Sequence, residues 1–222
     1  MKLKLTQKRP EIEGVKTFIF EPETPIAWQP GQYMHYVFEH PNPDDRGIER
    51  WFTIASAPFE KHIQITTRFD GERESSFKQA LESLEVGGEI EADGPKGSFT
   101  LLPGDIKHVL IAGGIGITPY RSMLAQMQHD NSMANIDLLY ANRDQNFVFG
   151  EELKRIATGH PTFKMIEFVD KRIEEADLQA YFQDDSTVFY LSGPRPMVEA
   201  YEGQLKSKVG EDRVKTDYFP GY

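Results

Sequence analysis

The segment Ile111-Ala-Gly-Gly-Ile-Gly-Ile-Thr-Pro119 sets three glycines, Gly113, Gly114 and Gly116, between an apolar run and a stretch of helical pattern. Glycine at such positions removes the Cβ atoms that would block a pyrophosphate. A helix N-terminus behind the turn adds free N–H donors and a partial positive charge. Pro119 suits the first helical position, where its missing N–H costs nothing. The same residues also fit a plain tight turn, but three glycines between strand and helix favour nucleotide phosphate as the target. The third glycine of the usual dinucleotide fingerprint is absent, because Gly116 is followed by Ile117-Thr118-Pro119, and this disfavours the common dehydrogenase form.

Other groupings say less when taken singly. Arg50-Trp-Phe-Thr53 combines a cation, two aromatics and a hydroxyl, and alone it reads as a strand with a solvated arginine and core aromatics. Gly94-Pro-Lys-Gly97-Ser-Phe99 reads as a tight turn leaving a strand. The six histidines show no metal-ligand spacing, so no metal site is expected. Glu151-Glu152 and Glu174-Glu175 fall at helix starts, where they complement the dipole, and no G-x-S-x-G elbow supports a hydrolase. The chain has no cysteine, which excludes disulfides, thiolate-held iron–sulfur clusters, a cysteine nucleophile and cysteine-ligated zinc.

These residues need elements to hold them. The 222 residues, 39% hydrophobic and 12% aromatic, suffice for one large or two small domains with real cores. Up to about Leu101 the pattern is of short strands, at Lys16 to Glu21, Gln32 to Glu39, Arg50 to Ala55, His62 to Arg68 and Glu89 to Ala92. Turn clusters at Pro30-Gly31, Pro41 to Gly47 and Gly87-Gly88 separate them, which suggests a small closed barrel or sandwich. One helix interrupts, Ser75 to Leu84, with Ser75 or Ser76 as N-cap. From residue 102 strand and helix alternate, which implies a parallel sheet with right-handed crossovers. The expected division is 1–101 and 102–222.

The net charge of -10 argues against nucleic-acid binding, since Lys and Arg supply nearly all of the attraction to phosphate backbones. No stretch approaches the ~20 apolar residues of a membrane helix, and no apolar leader opens the chain, so the expected location is the cytoplasm.

Taken in order, Arg50-Trp-Phe-Thr-Ile-Ala-Ser56, Ser75 opening a helix, Gly94 to Phe99, Gly113 to Pro119, and Leu191-Ser-Gly-Pro194 with Met197 resemble the ferredoxin-NADP reductase superfamily across almost the whole chain. The resemblance implies an antiparallel FAD-binding β-barrel followed by an α/β NAD(P)-binding domain. In the barrel it implies that Arg50 pairs with the flavin pyrophosphate, Phe52 packs on the isoalloxazine, and the Thr53 hydroxyl lies near flavin N5. Ser75, with Ser76 as its alternative, caps the helix and binds flavin phosphate. Gly113, Gly114, Gly116 and Thr118 bind the nicotinamide nucleotide, while Ser192, Gly193 and Pro194 guide the nicotinamide. In the tail Asp217-Tyr-Phe-Pro-Gly-Tyr222, Phe219, or else Tyr222, lies against the flavin as a gate.

The implied activity is hydride transfer from NADH or NADPH to FAD, with Thr53, Ser192 and Phe219 at the reaction centre. Electrons then pass to a separate acceptor: a ferredoxin, a flavodoxin or an oxygenase component. The alternatives are a reductase of free flavin, ferric chelates or quinones, and a non-catalytic flavin-binding subunit of a larger complex. Lys2, Lys4, Lys8 and Arg9 form one small basic cluster for an acidic carrier. Arg143 favours NADPH through a 2′-phosphate, whereas Asp144 favours NADH through a free 2′-hydroxyl.

Overall fold

The computed structural model describes residues 1–69, 71 and 74–219, apart from the side chains of Tyr218 and Phe219. In the first half six strands form one antiparallel sheet: β1 (Lys2–Ile12), β2 (Val15–Pro22), β3 (Tyr33–Val37), β4 (Glu49–Thr53), β5 (Ile63–Arg68) and β6 (Glu89–Lys96). Their spatial order is β4-β3-β6-β1-β2-β5, and the sheet curls into a half-barrel. Its two edges meet through the Ala55 N–H, which donates to the Gln64 carbonyl at 2.9 Å. Alternation drives the curl. Leu3, Leu5, Phe18, Phe20, Met34, Tyr36 and Phe52 turn inward with Phe77 and Leu81 of helix α1 (Ser76–Ser83) to form one core. Strand β1 was not among the runs expected from sequence. Its two inward leucines sit between lysines, so its apolar signal is thin, and pairing on both sides supplies what hydrophobicity does not.

The second half is a parallel sheet of β7 (Lys107–Gly113), β8 (Asn135–Asn142), β9 (Phe163–Val169), β10 (Val188–Pro194) and β11 (Val214–Phe219), in the order β11-β10-β7-β8-β9. Helices α2 (Thr118–His129), α3 (Gly150–Gly159), α4 (Glu175–Leu178) and α5 (Arg195–Val209) make the connections. Helices cover both faces, so the central strands read as continuous apolar runs. Leu110 and Ala112 pack toward α2 and α3, while Val109 and Ile111 pack toward α4 and α5. The helix expected at Glu175 to Phe182 divides into the four residues of α4 and a 3-10 turn, Gln179–Gln183.

The two halves share a core. Phe99 and Val15 belong to the cluster built around α2, and Phe99 lies with its ring centroid 5.9 Å from those of both Tyr120 and Tyr190. Gly31 fits the turn before β3 with φ +97°, and an added Cβ there would collide with the Phe99 carbonyl.

Candidate functional site

The chain runs from β7 outward to β8 and β9, then returns to the other side of β7 as β10. The C-terminal ends of β7 and β10 therefore flank the point where the winding direction reverses, the place where open α/β sheets form a ligand crevice. The glycine-rich turn leaves β7 there as a short 3-10 turn, Gly114–Ile117, and runs directly into α2, which begins at Thr118, one residue ahead of Pro119. Gly116 lies against β10 so closely that a Cβ would strike the backbone of Ser192 and Gly193. Gly113 is equally close to Met197, and an added Cβ at Gly114 would meet nothing. Thr118 is buried, and its hydroxyl donates to the Ile115 carbonyl at 3.1 Å, so it holds the turn.

Ser192 is fully buried at the end of β10, and its Oγ has no hydrogen-bond partner among the described residues. Gly193 and Pro194 complete the strand. A buried, unsatisfied hydroxyl is costly unless something pairs with it, and the crevice supplies the place for a polar ligand group. These residues fit a nicotinamide nucleotide. Beyond the end of β8, Arg143 is exposed, while Asp144 is tied into its own turn, accepting from the Asn146 N–H at 2.7 Å and from Asn142 Nδ2 at 3.2 Å.

On the half-barrel, Arg50 and Phe52 lie on the inner side of β4. Phe52 is 8% exposed and packs against Tyr36 and Phe77 with centroids 5.8 and 6.0 Å apart, so its ring belongs to the core. Thr53, at the strand end, is buried. Ser75 is the N-cap of α1, its side chain accepting from the Lys78 N–H at 3.3 Å. Ser76 is engaged differently. Its N–H donates to Asp44 Oδ2 at 2.9 Å, and its Oγ accepts from the Asp44 N–H at 2.9 Å and bonds His40 Nε2 at 2.9 Å. The His40 Nδ1 faces the Phe38 carbonyl at 2.7 Å, so Nδ1 carries the proton and Nε2 accepts from Ser76.

Arg50 turns toward the same loop. Its Nη1 donates to the carbonyls of Arg46 at 2.7 Å and Gly47 at 3.3 Å, and its Nη2 lies 3.6 Å from Asp44 Oδ1. The Asp44 carboxyl is held below its ordinary value, first by the Ser76 N–H. A guanidinium beside a helix N-terminus is the right donor set for a flavin phosphate, and here it is engaged by Asp44.

A joint fixes the strand end against the crevice. Arg121 of α2, 6% exposed, pairs with Glu60 through both of its terminal nitrogens and with Glu152 Oε1 at 2.9 Å, and it donates to the Ala55 carbonyl at 3.3 Å. Burial alone would raise the Glu60 carboxyl, but the Arg121 hydrogen bonds and charge bring it below its ordinary value. Ser122 donates to the Ser56 carbonyl at 2.6 Å, which also accepts from Trp28 at 3.2 Å. Sequence reasoning missed Asp44, Glu60 and Arg121. The contacts that draw them to the site, Asp44 to Ser76 and Glu60 to Arg121, span 32 and 61 residues.

At the end of β11 the backbone of Phe219 lies beside Pro194, and Asp217 lies opposite Ser192. Tyr222 falls outside the described residues, as does the Phe219 side chain. Burial pushes the Asp217 carboxyl up to about 6. A cleft of about 300 Å³ at the junction is lined by Gln29, Pro30, Leu101, Met123 and neighbours, none of them a candidate residue. Among the described residues no group of His, Asp and Glu could hold a metal, and no helix is long and apolar enough to cross a membrane.

Residues 110–203 match the family described as oxidoreductase NAD-binding domain. The chain is 28% identical over 243 residues to a flavohemoprotein of Rhodopirellula baltica, covering 97% of this chain and 59% of the relative. It is 26% identical over 226 residues to a carnitine monooxygenase reductase subunit of Escherichia coli, covering 98% of this chain and 68% of that protein. The first curated relatives are thus spanned over only 54% to 59% of their length. The structure of a ferredoxin-NADP+ reductase from Plasmodium falciparum superposes with a TM-score of 0.81 at 18% identity, covering 98% of this chain and 95% of that one. Residues 110–203 thus match a known NAD-binding domain family, and the whole chain shares the fold of the reductase, an antiparallel half-barrel sheet followed by a parallel sheet.

Proposed function

We propose that the chain is an NAD(P)H-dependent flavin oxidoreductase, with residues 1–101 as the flavin-binding domain and 102–222 as the NAD(P)-binding domain, that passes electrons to a separate acceptor. The observation that carries this is the joint. Helix α2, into which the glycine-rich turn leads, also grips Ala55 and Ser56, two and three residues after Thr53. The nucleotide crevice and the strand end are therefore held by one rigid element, and fixed distance is what transfer between two bound rings requires.

A flavin bound at the half-barrel would supply the electron chemistry. The protein's own residues supply position. Gly113, Gly114 and Gly116 let the nucleotide backbone approach α2, and Ser192 offers its unpaired hydroxyl to the nicotinamide end. Thr53 offers a hydroxyl at the strand end, and the backbone of Phe219 borders the crevice at Pro194. The exposed Arg143 is the group free to meet a 2′-phosphate, which supports NADPH as the donor.

The likeness to an oxygenase reductase subunit supports a protein acceptor. In the amino-terminal basic cluster Lys2 pairs with Glu89 at 3.0 Å, Arg9 pairs with Glu11 at 2.9 Å, and Lys8 donates to the Glu82 carbonyl.

The test is the visible spectrum of the purified protein, loaded with FAD and kept anaerobic, before and after NADH and then NADPH. Bleaching of the yellow chromophore is expected, faster with NADPH. A bound flavin that neither nucleotide bleaches would overturn the reading. Thr53→Ala is expected to slow bleaching while leaving flavin bound.

A further inference from the structure

We propose that Asp44 sets this chain's selectivity among flavins by occupying the seat that a flavin phosphate would take. The proposal rests on the flavin-binding reading above and concerns only the phosphate end of that site. One Asp44 oxygen accepts from the first-turn N–H of Ser76 at 2.9 Å. The other accepts from the Arg46 N–H at 3.0 Å and faces the Arg50 guanidinium at 3.6 Å. Both donor types that would recognise a phosphate therefore converge on one internal carboxylate. A carboxylate and a phosphate draw on the same charge-assisted donors.

The competitor is mounted on a loop that can yield. Asp44 lies in the turn segment 41–47, and its side chain is 25% exposed. Its hold on α1 is two hydrogen bonds to Ser76, and a third hydrogen bond and an ion pair join it to Arg46. Ser75 does not enter the competition, because its oxygen caps α1 through Lys78. Arg50 Nη1 is likewise committed to loop carbonyls, while its buried Nη2 faces Asp44 without a hydrogen-bond partner among the described residues, so a phosphate must displace Asp44 and the loop before it gains the whole donor set. A flavin without phosphate leaves the loop in place. The result is a site that discriminates little among riboflavin, FMN and FAD, although it contains the parts for strong phosphate recognition.

The experiment is titration of riboflavin, FMN and FAD by flavin-fluorescence quenching against the full chain, Asp44→Ala and Asp44→Asn, with circular dichroism verifying that each variant is folded. In the parent chain the three flavins are expected to bind within a few-fold of one another. Asp44→Ala frees two charge-directed donors and should tighten FMN and FAD by about tenfold, with riboflavin unchanged. Asp44→Asn keeps an acceptor for the Ser76 N–H but drops the charge, and should tighten FAD by a smaller factor. FAD affinity that is unchanged or weaker in both variants would overturn the proposal. So would a parent chain that already prefers FAD strongly over riboflavin and loses that preference in Asp44→Ala. Failure of all three flavins to bind any of the proteins would overturn the flavin reading itself, and this outcome is distinct from the other two.

Discussion

On the proposed reading, the donors for an anion in the parallel sheet come from one stretch of backbone, residues 113 to 118, whereas in the half-barrel they come from separate elements, Arg50 on β4 and Ser76 on α1. Among the described residues no side-chain carboxylate bonds the backbone turn. Its geometry is fixed by the collision of any Cβ at Gly116 with β10. The side-chain cluster does have one, because a loop from the same half brings Asp44 within reach of both donors. Backbone recognition is thus set once the fold forms, while side-chain recognition depends on which anion arrives.

The comparison breaks most completely where the two halves join. Arg121→Met leaves Glu60 and Glu152 partly buried without their cation, and removing one member of such a cluster costs about 3–5 kcal/mol. Urea unfolding is expected to shift by that amount, and a shift no larger than that of a surface substitution would show that the joint is not a stabilising element. Next in size is Gly116→Ala, which drives a methyl group into the Ser192 backbone. Overpacking of this kind costs about 1–3 kcal/mol, and NADPH binding should fall with it while flavin binding is unaffected.

Ser75→Ala removes the α1 cap and should cost about 1 kcal/mol in thermal unfolding, the mirror experiment in the half-barrel. Nucleotide binding by the other half should not change. The smallest effect is set by pH. The Asp217 carboxyl is raised from 3.8 to about 6, so the folded chain holds this proton more tightly than the unfolded one. Stability from this group is present below the unfolded value, is lost as pH rises through about 6, and stays lower above it. Asp217→Asn should therefore raise the melting temperature by a few degrees near neutral pH and leave it unchanged in acid below the unfolded value. Equal effects at both pH values would show that packing, and not charge, is at work.

The strands and most helices of the parallel half were legible because they are continuous apolar runs or helical repeats, as at residues 107–113 and 118–129 on either side of the glycine turn. Strand β1 was less so, since two buried leucines among lysines give little signal until β2 and β6 pair with it. At the site, the glycine turn, the Ser75 cap and the strand carrying Arg50, Phe52 and Thr53 were all visible. Taken alone, the segment read as a strand with core aromatics, which holds for Phe52 but not for Trp51, 45% exposed, because neighbours along a strand point to opposite faces.

The sequence by itself determined the order of the pieces, the glycine turn between strand and helix, and the absence of thiol chemistry, because these depend on residue type and near-neighbour spacing alone. Only the tertiary structure decided that Asp44 meets Arg50 and Ser76, that Arg121 ties the halves together, and that the hydroxyl of Ser192 is left without a partner. Apart from Asp44 with Arg50, such contacts join residues dozens of positions apart. They are set by how two curved sheets pack, and no local pattern of side chains records that.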